Sequence, residues 1–170
     1  MHRSSACLYL GALLGTACAR SQPPAPQPAI SAPARQAVQT DGFELSVPAG
    51  WRVKHTQMGI EAHSPGDAIE LVVSGAYPAA DAETTREIVS VQGGVDLQAW
   101  TERRVGDLRV ASTTIVGSTR FEVSIVAGAD GHVVVTTETE PEIDAATVQL
   151  LREVVDSVRI RKVVAERTAD

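Results

Sequence analysis

From Asp41 onward apolar and polar residues alternate with a period of two, the pattern of strands that bury one face. Phe43, Leu45 and Val47 fall on one side, Glu44 and Ser46 on the other. Pro48-Ala49-Gly50 interrupts this strand, and Trp51 to His55 begins a second. Two more are predicted over Ile60 to His63 and Ala68 to Ala76, joined at Ser64-Pro65-Gly66-Asp67. Proline presets φ and glycine supplies φ > 0, so Pro65-Gly66 predicts the central pair of a type II turn. Further on, Asp107 to Val116, Arg120 to Ala127 and His132 to Glu138 read as three closely spaced strands. Gly117-Ser118 suits a two-residue type II′ hairpin turn, and Asp130-Gly131 turns the chain again. Spacing this tight predicts an antiparallel meander, and its many Thr and Ser positions predict one solvated face.

Helical spacing occurs twice. Between Asp81 and Arg104, the positions of Ile88, Val91, Leu97 and Trp100 predict two short helices around a break at Gly93-Gly94. Asp81 and Thr84 are the N-cap candidates, Thr84 with Glu87 three residues on as a capping box. The second helix is the clearest: Val148, Leu151, Val155 and Val158 line one face, Arg152, Glu153 and Asp156 the other, with Asp144 as cap. After Ser157, Val158-Arg159-Ile160-Arg161 alternates as a short final strand. The pattern therefore predicts one α+β domain over residues 41–163, a mainly antiparallel sheet packed against helices, with residues 164–170 frayed.

Neither period reaches the first forty residues. Residues 20–40, RSQPPAPQPAISAPARQAVQT, carry almost no large apolar side chains and cannot bury enough surface to offset chain entropy. Their prolines favour polyproline geometry, and a spacer of this length reaches roughly 60–70 Å when extended. Ahead of it, Met1-His2-Arg3 and the apolar run from Ala6 to Leu14 match a secretory signal; a membrane span needs roughly twenty apolar residues. Leu14-Gly15-Thr16-Ala17-Cys18 resembles the box at which bacterial lipoproteins are cut and acylated. That resemblance implies a signal peptide over residues 1–17, lipidation of Cys18, and a linker over residues 18–40. With Ala19 rather than Asp after the cysteine, it also implies an outer-membrane anchor. Ala17-Cys18-Ala19 is equally a small-x-small site for an ordinary signal peptidase, which would cut before Arg20 and release a soluble periplasmic protein.

Composition narrows the classes. The chain has 170 residues, 44% hydrophobic and 21% charged, as expected of one globular domain with appendages. A net charge of −6 repels phosphate backbones, so no nucleic-acid partner is expected. Of the two cysteines, Cys7 falls in the leader and Cys18 at its exit, which excludes a disulfide scaffold and thiol chemistry in the domain. Only 4% of residues are aromatic, so the core is expected to be aliphatic, with Trp51 and Trp100 inside it.

The stretch Gly42-Phe43-Glu44-Leu45-Ser46-Val47-Pro48-Ala49-Gly50-Trp51 resembles the opening of PsbP-like domains. Leu150 to Ile160 is similar to their terminal helix and its exit, and the element order between the two matches that family over about 120 residues. The resemblance, which extends to bacterial DcrB-like lipoproteins, implies a twisted antiparallel sheet covered by helices. It implies no single chemistry, because function resides in sites and not in folds.

Catalytic signatures are missing from the sequence: no phosphate loop, no H-E-x-x-H, no G-x-S-x-G. Ser74-Gly75 and Gly117-Ser118 read as a strand end and a hairpin. His55 and His63, if on adjacent strands, could face each other as a metal pair; surface histidines are the commoner outcome. Glu138, Glu140, Glu142 and Asp144 offer hard oxygen ligands for calcium, although negative charge before a helix N-terminus is explained by the helix dipole alone. No metal or cofactor is therefore expected. Tyr77, followed by Pro78, is the most exposed-looking aromatic and the candidate contact residue. The expectation is a lipid-anchored envelope protein with a non-catalytic binding or assembly domain and an envelope protein partner. The alternative is a periplasmic small-ligand or metal-binding protein that uses a cleft between sheet and helices.

Overall fold

The computed structural model describes residues 34–161. The expected signal peptide over residues 1–17, Cys18 and the tail over residues 164–170 lie outside them. In chain order the elements are β1 (Arg35–Gln39), β2 (Phe43–Pro48), β3 (Arg52–Thr56), β4 (Gly59–His63), β5 (Ile69–Tyr77), α1 (Ala82–Gly93), β6 (Thr101–Val105), β7 (Leu108–Val116), β8 (Arg120–Gly128), β9 (Gly131–Thr139), α2 (Ala145–Asp156) and β10 (Arg159–Ile160). Seven strands form one sheet in the order β3-β4-β5-β9-β8-β7-β6, and three form another in the order β1-β2-β10. Every pairing is antiparallel. This is the α+β class that the two periodicities predict.

The pleat sorts the large sheet into two unlike faces. One carries Ile60, Ala62, Leu71, Val73, Val110, Val126, Val133 and Val135, which share a hydrophobic cluster with Phe43, Leu45 and Val47 of β2 and Leu151, Val154 and Val155 of α2. The other carries Ala111, Val123 and Ile125, packed with Ala82, Val89 and Trp100. Because β8 is covered on both sides, Val123, Ser124, Ile125 and Val126 are buried in succession. Each fully buried Val or Leu contributes about 1.5–3 kcal/mol, and these clusters hold the layers together.

The structure corrects the sequence reading in five places. First, the linker stops short of residue 40: Arg35–Gln39 is β1, paired with β2 through Val38↔Leu45, and Val38 is buried. Arg35, Gln36 and Gln39 around it are polar and Ala37 is small, so nothing local marks it as a strand; pairing with β2 supplies the driving force. Second, Thr101–Val105 is the edge strand β6, not helix, because pairing with β7 satisfies its backbone. Third, Gly117-Ser118 is part of a three-residue loop, Val116 pairing with Arg120, and Gly117 does not take the positive φ of a type II′ turn. Fourth, Thr84 lies inside α1 and caps nothing, and Asp81, although at the N-cap position, makes no side-chain cap. Fifth, the hydroxyl-rich positions do not mark a solvated face: Thr113, Ser124, Thr137 and Thr139 are buried. Pairing within the sheet shelters them, as when Ser112 Oγ and Ser124 Oγ hydrogen-bond at 2.7 Å.

Other local readings agree with the structure. Gly66 sits at φ 80°, ψ 8°, and the Asp67 N–H donates to the Ser64 carbonyl at 3.0 Å, the geometry of a type II turn. Asp144 caps α2, its Oδ1 accepting from the Thr147 N–H at 2.6 Å. Trp51 and Trp100 are both buried.

Candidate functional site

The outer side of α1 presents apolar groups to solvent. Val91 is 83% exposed, Ile88 50% and Leu97 44%. Val91 and Leu97, with Val95, border a shallow depression of about 350 Å³. Helical spacing places Ile88 and Val91 on one stripe, while Ala82 and Val89 turn inward against the sheet. The helix thus carries two apolar faces and buries one.

Leu97 is held beside this stripe by a network that begins at Gly94. Gly94 takes φ +63°, which stops α1 and lets the N–H groups of Gly94 and Val95 donate to the Ser90 carbonyl. The chain then doubles back. Trp100 packs under α1 and its indole Nε1–H donates to Ser90 Oγ at 2.8 Å. Arg86 lies over the Trp100 ring, 5.5 Å from its centroid, and donates to the Leu97 carbonyl at 2.9 Å and to Glu102 at 2.7 Å. The patch is therefore set in place before anything binds. Glu87 and Asp96 stand exposed at its edge and form no ion pair among the described residues.

On the opposite side of the large sheet, α2 and strands β6–β8 enclose a cleft of about 310 Å³. Arg103, Ser112, Thr114, Arg120 and Glu122 reach it from the sheet, Val148 and Arg152 from the helix. The register explains the convergence: Val110, Ser112, Thr114, Glu122 and Arg120 share a pleat face, and Arg103 pairs with Val110. Arg103 forms an ion pair with Asp156 at the end of α2.

The histidines do not form the pair considered from sequence. His55 pairs with Ile60 and His63 with Arg52, so the two side chains leave opposite faces of the sheet. His63 instead joins Glu61 and Glu70, whose ligand atoms lie within 4.8 Å of one another. Its Nε2 is 3.0 Å from Glu61 Oε1, and that hydrogen bond, with Lys54 nearby, holds the Glu61 carboxyl below its usual range. Lys54 lies 3.8 Å from Glu61 and Arg52 pairs with Asp67, while Glu70 forms no ion pair among the described residues. His132 is fully buried; its Nδ1 meets the Pro78 carbonyl and its Nε2 the Thr85 hydroxyl, both at 2.9 Å. Both ring nitrogens therefore have hydrogen-bond partners, a carbonyl on one side and a hydroxyl on the other.

Tyr77, the contact candidate, is the last residue of β5, half-buried, with its ring 5.2 Å from that of His132. Exposed apolar groups that the sequence reading did not single out include Ile88 and Val91 on α1 and Leu97 after it, beside Met58 and Val116 elsewhere. Sequence reasoning missed this because Ile88 and Val91 have the same helical spacing as core residues. Ser74 lies inside β5 and Ser118 in the β7–β8 hairpin. Of the acidic run, Glu138 belongs to β9 and Asp144 caps α2.

No family model matches the chain, and no curated protein does. Among solved structures, one protein of Bacteroides thetaiotaomicron VPI-5482 is similar at a TM-score of 0.47 and 13% identity, over 71% of this chain and 45% of its own. The chain thus spans less than half the length of that protein.

Proposed function

We propose that this chain is a lipid-anchored envelope protein, joined through Cys18 to the outer membrane, whose PsbP-like α+β domain is a non-catalytic binding module. The preset apolar stripe of Ile88, Val91 and Leu97 carries this reading. Apolar surface that a helix leaves exposed, held by a hydrogen-bond network with the buried Trp100–Ser90 bond at its centre, is worth keeping where another protein covers it. The partner is an amphipathic segment of an envelope protein, with aliphatic residues for the stripe and Lys or Arg to meet Glu87 and Asp96. Its attachment follows the helix-in-groove mode of recognition. The Pro-rich spacer, on this reading, lets the domain reach that partner away from the lipid.

A photo-crosslinking residue placed at Val91 tests the docking face in living cells, with the same residue at Thr56 as control. A discrete protein adduct is expected from position 91 only. It should disappear with Ile88→Asp and weaken with Glu87→Lys, while stability stays within about 0.5 kcal/mol because these positions are exposed. No adduct at position 91, or an adduct indifferent to both substitutions, overturns the docking face. The anchor is tested separately, by palmitate labelling of wild type against Cys18→Ser; equal labelling, or none, overturns it.

A further inference from the structure

The cleft between α2 and β6–β8 holds more charge than its own groups neutralise. Arg103, Arg120 and Arg152 border it together with Glu102 and Glu122; Arg103 pairs with Asp156 and Glu102 with Arg86, which leaves Arg120 and Arg152 against Glu122. Among the described residues Arg120, Arg152 and Glu122 form no ion pair, although all three border one cavity. The Nε atoms of Arg103 and Arg120 are buried without a hydrogen-bond partner. Those atoms are closed to any ligand, so the donors left for an acceptor from outside the chain are the terminal N–H groups of Arg120 and Arg152, which no carboxylate pairs among the described residues. Guanidinium groups present paired N–H donors that match the two oxygens of a carboxylate.

Glu122 decides what kind of anion fits. It stands on β8 two residues from Arg120 and on the same pleat face, so an anion held by Arg120 lies near its oxygens. A carboxylate accepts hydrogen bonds and donates none. A phosphate dianion there meets repulsion from Glu122, and a plain monocarboxylate leaves Glu122 without a partner. We infer that this cleft binds a small carboxylate with a hydrogen-bond donor on the neighbouring carbon, an amino acid or a 2-hydroxy acid. Arg120 and Arg152 take the carboxylate, Glu122 takes the ammonium or hydroxyl, and Val148 provides the apolar wall for the rest of the molecule. The cleft volume of about 310 Å³ is the size of a small-ligand site. This site lies across the sheet from the α1 stripe and does not depend on the docking proposal.

Calorimetric titration of the full-length protein with alanine, lactate, acetate and inorganic phosphate tests the inference. Saturable binding of alanine or lactate is expected, with acetate and phosphate at least about tenfold weaker, the equivalent of about 1.4 kcal/mol. Arg152→Gln, at the exposed rim, and Arg120→Gln should each weaken the preferred ligand by about tenfold or more. Glu122→Gln should invert the ranking, weakening alanine and strengthening acetate. Val91→Asp should change nothing here, which separates failure of this site from failure of the docking face. Absence of saturable binding by any of the four, phosphate binding as well as alanine, or indifference of the ranking to Glu122→Gln overturns the inference.

Discussion

Replacing Ser90 by Ala removes one oxygen from the centre of the network behind the α1 stripe. Trp100 is 7% exposed and Ser90 5%, and their 2.8 Å hydrogen bond is buried, so water cannot take the hydroxyl's place. The indole N–H is left unmet, at a cost of about 1–3 kcal/mol. Alanine is the better helix former, which returns about 0.5 kcal/mol in α1. The net expectation is a loss of about 1–2 kcal/mol. Trp100→Phe removes the same bond from the other side and weakens the Arg86 contact, because a phenyl face attracts a cation less than an indole does. Because both substitutions break one bond, the double variant should be less destabilised than the sum of the singles, with a coupling of about 1 kcal/mol. Urea unfolding of the four proteins, followed by far-ultraviolet circular dichroism, measures all three quantities. Ser90→Ala within about 0.3 kcal/mol of wild type, or strictly additive singles, would refute the claim that this bond holds Leu97 beside α1.

Two further outcomes follow from particular residues. The Asp144 carboxyl lies below its usual value, first because it accepts the Thr147 backbone N–H, so its contribution to stability is complete above the ordinary aspartate value of 3.8 and fades as pH falls through its lower folded value. Asp144→Asn keeps a capping oxygen without the charge; it should be less stable than wild type near neutral pH, with the difference closing in acid, as read from thermal unfolding at several pH values. A chain beginning at Asp41 omits β1, exposes Leu45 and Val47 of β2 along that edge, and loses the Gln36 bond to the Trp51 carbonyl. It should unfold at least 2 kcal/mol more easily, on the order of one buried Val with its cross-strand pairs; equal stability to the chain starting at Pro33 would return β1 to the linker.

Much of the fold was legible because one interaction dominates locally. Phe43-Leu45-Val47 and Leu151-Val155 announce a strand and a helix through spacing alone, although Val158, read as part of the same helical face, lies beyond the end of α2 at Asp156, and Pro65-Gly66 announces its turn through backbone sterics. Residues with weak local preference were not legible. Arg35–Gln39 and Thr101–Val105 are mostly polar and become strands only because a neighbouring edge offers them hydrogen bonds. The candidate sites share that character. Nothing near Arg103 in the chain points to Arg120 or Arg152, and Ile88 looks like a core residue until the inner face of α1 proves to be filled by Ala82 and Val89.

By itself the sequence determined the α+β class, most strand and helix positions, and the aliphatic character of the core, since each depends on side-chain period and backbone sterics within a few residues. Tertiary structure alone decided which apolar residues stayed exposed, which arginines converged on one cleft, and that the two histidines parted. Those outcomes turn on sheet register and on which face a helix covers, and both are set by residues far apart in the chain.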